Sequence, residues 1–354
     1  MTSCAEPRLL SYRDLLAKYD IGYLHTWELL GGGMFQKPIR IGTSTGMYVL
    51  RAHRFRNTKN TFQFQADTLH QVNCMGCRTP QVIRRRNGEF GEVIEHAFWA
   101  LHEYIPGYIH SWDEWFERKS NPGFLEWLGG RVAKLHDALS RIAPGSDSSL
   151  AVSLPPIQFH FLPEIREHWD EALESALSAN AVQSGAVLKA CRTEIETYWD
   201  LLSQAAASLQ IGEFDRQIVH GDISPVNIVF DSSEDFVFID WDCVHLGIRL
   251  YDALGDVLNR PPWHMAASTA FNVDELRSYL RGYNACASSP FTKRELDCIP
   301  AFCIARQLED LRQRVSVLAE SPRVWDEEFA TLIQGRVQMM RSICEQPKAL
   351  SNVI

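Results

Sequence analysis

The chain contains no run of about 18 consecutive apolar residues, the length that a membrane-spanning helix requires. Its first residues, Met1-Thr-Ser-Cys-Ala-Glu-Pro-Arg8, lack the basic-then-apolar layout of a secretory leader. The expectation is a soluble, cytoplasmic protein with no membrane partner. Cys74-Met-Gly-Cys77 has no second CxxC and no close His pair to complete a zinc site. The nine cysteines, an odd number scattered along the chain, read as reduced thiols. Clustered positive charge is missing from the longer part: residues 106–354 carry 22 Lys and Arg against 35 Asp and Glu, whereas residues 1–105 carry 13 against 9. An acidic surface repels a phosphate backbone, which excludes nucleic acid as the main partner and suits a cationic small molecule. There is no internal repeat and no low-complexity tract.

What is present is ordinary globular material, 354 residues with 45% apolar side chains, enough for two domains or one bilobal one. Residues 11–20 predict a short amphipathic helix. From Tyr23 to Glu103 apolar runs alternate with Gly and Ser/Thr turns, which predicts an antiparallel sheet. One helix interrupts it at about Thr61–Val72. Asn87-Gly88 stands between the apolar runs Gln81-Val-Ile and Phe90-Gly-Glu-Val-Ile, a hairpin signal. After a connector, His102-Glu-Tyr-Ile-Pro-Gly107, the periodicity turns helical: about 112–119, 123–143, 162–177 and 185–209, then again from about 249, 273, 293 and 325. The composition changes near residue 105. This predicts an α+β chain, with a β-rich part over 1–105, a hinge at about 101–107, and a mostly helical part over 106–354.

One stretch breaks the helical pattern of the second part. Ile218-Val-His-Gly-Asp-Ile-Ser-Pro-Val-Asn-Ile-Val-Phe230 is followed by Phe236-Val-Phe-Ile-Asp-Trp-Asp242. Short Val, Ile and Phe runs read as buried strands, and between them lie His220, Asp222, Asn227, Asp240 and Asp242. Phosphoryl transfer needs nucleotide phosphates held by magnesium, a carboxylate to orient and deprotonate the acceptor hydroxyl, and cations for the developing charge. Residues of those types stand here at fixed offsets, with Asn227 five positions after Asp222 and Asp240 thirteen after that.

His220-Gly221-Asp222-Ile-Ser-Pro-Val-Asn227, with Ile239-Asp240-Trp241-Asp242, resembles the signature of the aminoglycoside phosphotransferase and choline kinase superfamily, a branch of the protein-kinase-like fold. The resemblance implies a bilobal fold with a small β-rich lobe and a larger helical one. It also implies an ATP- and magnesium-dependent transfer of the γ-phosphate to a small-molecule hydroxyl. In that reading Asp222 is the catalytic base, His220 braces the loop, and Asn227 and Asp240 are magnesium ligands. Asp242 either assists the metal or is a loop-capping or solvent-facing carboxylate. Asp252, in Gly247-Ile-Arg-Leu-Tyr-Asp252, would tether the catalytic loop, while Ser224 would either reach the transferred phosphate or serve the turn beside Pro225.

The first part matches the family less closely. Gly31-Gly32-Gly33 lies where the family places its phosphate-covering loop, and its backbone could approach phosphates as readily as it could form a plain turn. In Tyr48-Val-Leu-Arg51 the family's phosphate-binding Lys is replaced by Arg51, whose guanidinium can still grip phosphate. The Glu that normally partners this Lys is missing from the following helix, where Gln63, Gln65 and Asp67 are the nearby candidates. The Glu103 carbonyl and the Ile105 N–H would clasp the nucleotide base, a backbone recognition that admits ATP and GTP alike.

The layout resembles homoserine, hydroxylysine and hexosamine kinases, and acidic charge favours an amine-bearing acceptor. Trp241, Trp263 and Trp325 are candidates for its site, although core packing is the commoner use of tryptophan. A protein kinase is the alternative within the fold, yet no His-Arg-Asp, Asp-Phe-Gly or Ala-Pro-Glu occurs. A catalytically silent nucleotide-binding module is the alternative outside catalysis.

Overall fold

Ile39 and Ile41 are buried on either side of half-buried Arg40, and this period of two gives the first sheet a buried face. The computed structural model describes residues 12–31, 38–53, 59–94, 97–143, 159, 162–178, 182–231, 235–255, 271–320 and 326–346. The chain divides into two units. Met1–Ile109, Ile142–Ser153 and Val226–His245 form the first; His110–Arg141, Leu154–Pro225 and Leu246–Ile354 form the second.

In the first unit β1 (Leu24–Leu29), β2 (Ile39–Thr43) and β3 (Met47–His53) run as an antiparallel meander, and β3 pairs on its far side with β6 (Ala97–Glu103). Alternation along β6 sends Trp99 and Leu101 into a core with Leu15, Leu16, Tyr19, Ile41 and Leu50. The intervening Phe98 and Ala100 pack with Phe62 and Ala66 of α1 (Lys59–Cys74). Because Arg51 pairs with Ala100 and His53 with Phe98, both polar residues share the α1 side of the sheet.

The hairpin expected from Asn87-Gly88 is corrected. β4 (Val82–Ile83) and β5 (Gly91–Ile94) both lie antiparallel to β6, so they run in the same direction and cannot pair with each other. They occupy successive lengths of one strand position. The turn itself forms between them, with Gly88 at φ +86°, its N–H donating to the Arg85 carbonyl at 2.8 Å and the Arg85 N–H donating to the Glu89 carbonyl at 2.7 Å. Turn chemistry was legible, but the long-range partner of the flanking strands depends on β6.

The connector after β6 pairs Tyr108 with Phe230 by reciprocal backbone bonds of 2.9 and 2.8 Å. Gly107 has φ +153°, and a Cβ there would run into the Phe230 carbonyl.

The described residues of the second unit are mostly helical, with the short strand β7 (Gln217–Val219) among them. It contains α2 (Trp112–Lys119), α3 (Pro122–Leu139), α4 (Leu162–Ser178), α5 (Val182–Ser208), α6 (Arg249–Ala253), α7 (Val273–Cys286), α8 (Lys293–Leu296), α9 (Ile299–Glu320) and α10 (Asp326–Glu345). Start signals sit where capping chemistry requires: Ser111 and Thr292 form capping boxes with Glu114 and Glu295, and Asn121 caps a helix with Pro122 in its first turn. The extensive α3–α7 packing is set by glycine. Gly129 lies against the Tyr279 carbonyl and Gly282 against the Glu126 carbonyl, an approach no side chain would permit. The same approach brings His136 of α3 to Tyr283 of α7.

Candidate active site

In the first unit, β8 (Ile228–Phe230) and β9 (Phe236–Phe238) form a buried antiparallel pair, with Ile105 packed against Val229 and Val237. This short hairpin is apolar because it is buried, and its polar residues are pushed to its ends. Asn227 precedes β8 and Asp240 follows β9 by two residues. The Ile239 N–H donates to the Asn227 carbonyl at 2.8 Å, which ties the two ends together.

Asp240 takes a left-handed conformation, φ 59° and ψ 66°. That region is costly for a residue with a Cβ, and such strain of roughly 1–3 kcal/mol clusters at functional sites. Asp240 Oδ1 accepts from Arg51 Nη2 at 2.8 Å, and the same nitrogen lies 3.5 Å from Asp242 Oδ2. Burial works against the charge of Arg51, but Asp240 and Asp242 outweigh it and raise its pKa further.

Asp242 sits at the centre of a second set of contacts. Its Oδ1 accepts from Gln65 Nε2 of α1 at 3.1 Å and is 3.0 Å from His53 Nδ1, while His53 Nε2 faces His102 Nε2 at 3.0 Å. Burial opposes ionisation of Asp242, yet His53, Arg51 and the hydrogen bonds from His53 and Gln65 hold its carboxyl far below the ordinary range. An ionised Oδ1 accepts, so His53 Nδ1 carries its proton there, and of the two facing Nε2 atoms only one can donate. His102 is pushed well below the usual imidazole value by burial first, then by His53 and Arg51.

In the second unit Asp252 organises the start of the predicted catalytic loop. Its Oδ2 accepts the His220 N–H at 3.0 Å, and its Oδ1 accepts the Gly221 N–H at 2.8 Å. Nε2 of His136 lies 3.0 Å from Oδ2, and the other ring nitrogen lies 2.9 Å from the Tyr283 hydroxyl. Burial alone would raise the pKa of Asp252, but His136, His220 and the Gly221 N–H reverse this and hold it at about 2. Gly221 has φ +84°, a turn that brings the Asp222 N–H to His220 Nδ1 at 3.2 Å. His220 is fully buried, whereas Asp222 is half-exposed.

The structure therefore joins Arg51 to Asp240, Asn227 to the chain beside Asp240, and His220 to Asp222 and Asp252. Ser224 is buried beside Pro225. Glu103 ends β6; its N–H donates to the Gln81 carbonyl at 2.8 Å, while the Gln81 N–H turns to the Glu103 carboxylate at 3.4 Å. Gly31 has open space around it, and Gly32, Gly33, Trp263 and Trp325 lie outside the described residues. Trp241 is a core residue, its indole N–H donating to the Phe238 carbonyl at 2.9 Å.

A groove of about 840 Å³ in the second unit holds Arg166 among Asp170, Asp200 and Glu213, and none of the predicted site residues lines it. Sequence reasoning missed His53 and His102. Their signal was the alternation of β3 and β6, readable only once the register was known. Among the described residues no three His, Cys, Asp or Glu side chains gather into a metal cage. Magnesium does not require one, since it is held by one or two protein oxygens together with substrate phosphates.

Comparison with known proteins agrees with this architecture. A homoserine kinase of Granulibacter bethesdensis is 24% identical over 289 residues, covering 81% of this chain and 80% of that protein. A homoserine kinase of Parvibaculum lavamentivorans is 24% identical over 315 residues, covering 87% and 85%. Among solved structures, a microcompartment-associated aminopropanol kinase superposes with a TM-score of 0.67 at 16% identity, over 97% of this chain and 98% of that one. An aminoglycoside phosphotransferase of Alicyclobacillus acidocaldarius gives 0.63 at 13% identity over 95% and 96%. These superpositions show an α+β, protein-kinase-like fold. Residues 26–288 match the Phosphotransferase enzyme family, so the chain belongs to that family and is a small-molecule kinase.

Proposed function

We propose that the chain transfers the γ-phosphate of ATP, with magnesium, to a hydroxyl of a small amine-bearing acceptor. Homoserine and related amino alcohols are the first candidates, with aminosugars and aminoglycosides after them. The observation that carries this reading is the adjacency of Asn227 and Asp240 at one end of the β8–β9 hairpin, locked by the 2.8 Å bond between Ile239 and Asn227. An amide oxygen and a carboxylate are hard donors of the kind magnesium takes beside nucleotide phosphates. Bound there, the ion would neutralise charge developing on those phosphates.

Asp222 acts on the acceptor: its carboxylate orients the hydroxyl and takes its proton as the bond to phosphorus forms. His220 and Asp252 hold the backbone from which Asp222 projects. Arg51 offers a guanidinium to the phosphates, and the connector at Glu103 and Ile105 offers backbone groups to the base. The choice of acceptor rests on relatives named homoserine kinase that align over about four-fifths of both chains and on the acidic balance of residues 106–354.

The test is ADP release in a coupled assay with homoserine, hydroxylysine, aminopropanol, choline, N-acetylhexosamines and several aminoglycosides, with Asp222→Asn as the control. Turnover of one acceptor that is lost in the control supports the reading. Binding of magnesium–ATP without turnover of any acceptor overturns it.

A further inference from the structure

A cation that grips phosphates from a strand needs an anion behind it, or its flexible stem lets it wander. Helix α1 does not supply that anion. Its one acidic candidate, Asp67, accepts from Gln63 at 2.7 Å and lies 3.9 Å from Arg84, so it is engaged away from Arg51. Gln65, nearly fully buried, points instead at Asp242. The carboxylates placed at Arg51 are Asp240 and Asp242. If Asp240 serves the metal, Asp242 is the one that remains.

Asp242 is equipped for that task and poorly placed for another. Its Oδ1 is occupied by His53 and Gln65, and its Oδ2 faces Arg51 at 3.5 Å. Two N–H donors therefore fix one oxygen and leave the other for the guanidinium. Fully buried His53 is held in turn by His102, so the carboxylate is anchored to β3, the strand that carries Arg51, to neighbouring β6 and to α1.

Resting on the phosphotransfer reading, we propose that Asp242 is a positioning residue. Held by His53 and Gln65, it supplies from the 241–243 turn the carboxylate that α1 lacks, and keeps Arg51 directed at the phosphates of a nucleoside triphosphate. The usual strand-to-helix ion pair is thus replaced by a strand-to-turn pair, with Gln65 joining the helix to it through an uncharged hydrogen bond.

The test is calorimetric binding of a magnesium complex of a non-hydrolysable ATP analogue, with thermal unfolding of each variant measured alongside. An opposite charge within about 4–6 Å favours the charged form by about 1–3 pKa units, each worth tenfold, so Asp242→Asn is expected to weaken analogue binding at least tenfold. Adding Gln65→Glu to Asp242→Asn exchanges amide and carboxylate across the same hydrogen bond and is expected to recover most of that loss. Gln65→Leu alone, which leaves every charge in place, is expected to weaken binding severalfold and carries the test if Asp242→Asn does not fold.

Unchanged analogue binding in Asp242→Asn, with only the melting temperature moved, overturns the proposal. So does a loss that excess magnesium restores and the exchange does not, since that marks a metal ligand. If Asp242→Asn does not fold, unchanged binding in Gln65→Leu overturns the proposal. A wild-type chain that binds no magnesium–nucleotide complex overturns the phosphotransfer reading itself, and this proposal with it.

Discussion

His136 and Asp252 stand 116 positions apart in the sequence and form a buried hydrogen bond of 3.0 Å. The same carboxylate accepts two consecutive backbone N–H groups, at His220 and Gly221, so one side chain of α6 sets the entry to the loop that carries Asp222. His136 in turn is placed by the close approach of α3 and α7. Helix packing is thereby linked to the geometry of the loop.

Replacing Asp252 with Ala removes the partner of two buried groups, the His220 N–H and His136, and of the half-buried Gly221 N–H. Each unsatisfied group costs about 1–3 kcal/mol, and removal of one partner from a buried charged network about 3–5 kcal/mol. Urea unfolding of Asp252→Ala is expected to show a loss of about 3 kcal/mol or more, with Asp252→Asn intermediate. A loss below about 1 kcal/mol would show that the loop is held by other contacts.

The same residue predicts a pH dependence. Asp252 titrates at about 2 in the folded chain, against about 3.9 when unfolded, so the unfolded state binds its proton first as pH falls. The resulting stabilisation is fully present above about pH 4.5 and is lost as pH falls through about 2; by linkage it amounts to roughly 2–3 kcal/mol. The difference in unfolding free energy between wild type and Asp252→Asn is expected to be flat above pH 4.5 (about half a unit above the unfolded value) and to shrink below it. A difference that stays constant down to about pH 2 refutes the assignment.

Gly282→Ala tests the helix contact beneath the loop. The new methyl would enter the Glu126 backbone of α3, which cannot move without displacing that helix. Overpacking of this kind costs typically about 1–3 kcal/mol. Thermal unfolding should register it, and turnover should fall as well, because the shift would reach His136 and Asp252.

For Asp222→Asn, expected behaviour separates chemistry from binding. Loss of a general base lowers turnover by about 10²- to 10⁴-fold, while calorimetric binding of the magnesium–nucleotide complex should stay within about twofold. Nucleotide affinity that falls in parallel with turnover would assign Asp222 to holding the nucleotide.

Sequence by itself determined the features that chemistry writes at short range. A strand–loop–strand stretch from Ile218 to Asp242, helices such as Trp112–Lys119, the turn at Asn87-Gly88, and the α+β order follow from local periodicity and offsets, because neighbouring residues must satisfy those constraints together. Tertiary structure alone decided which residues meet across the chain. β4 and β5 pair with β6 because it offers one shared edge, whatever the turn between them suggests. His53 and Asp242 are 189 positions apart, and nothing local links a histidine on β3 to a carboxylate after β9. Sheet register put Arg51 and His53 on the α1 side, and the buried hairpin carried Asp240 and Asp242 to them. A motif names its members by spacing, but the partner of each charge is chosen by packing, since burial forces every polar group to find one.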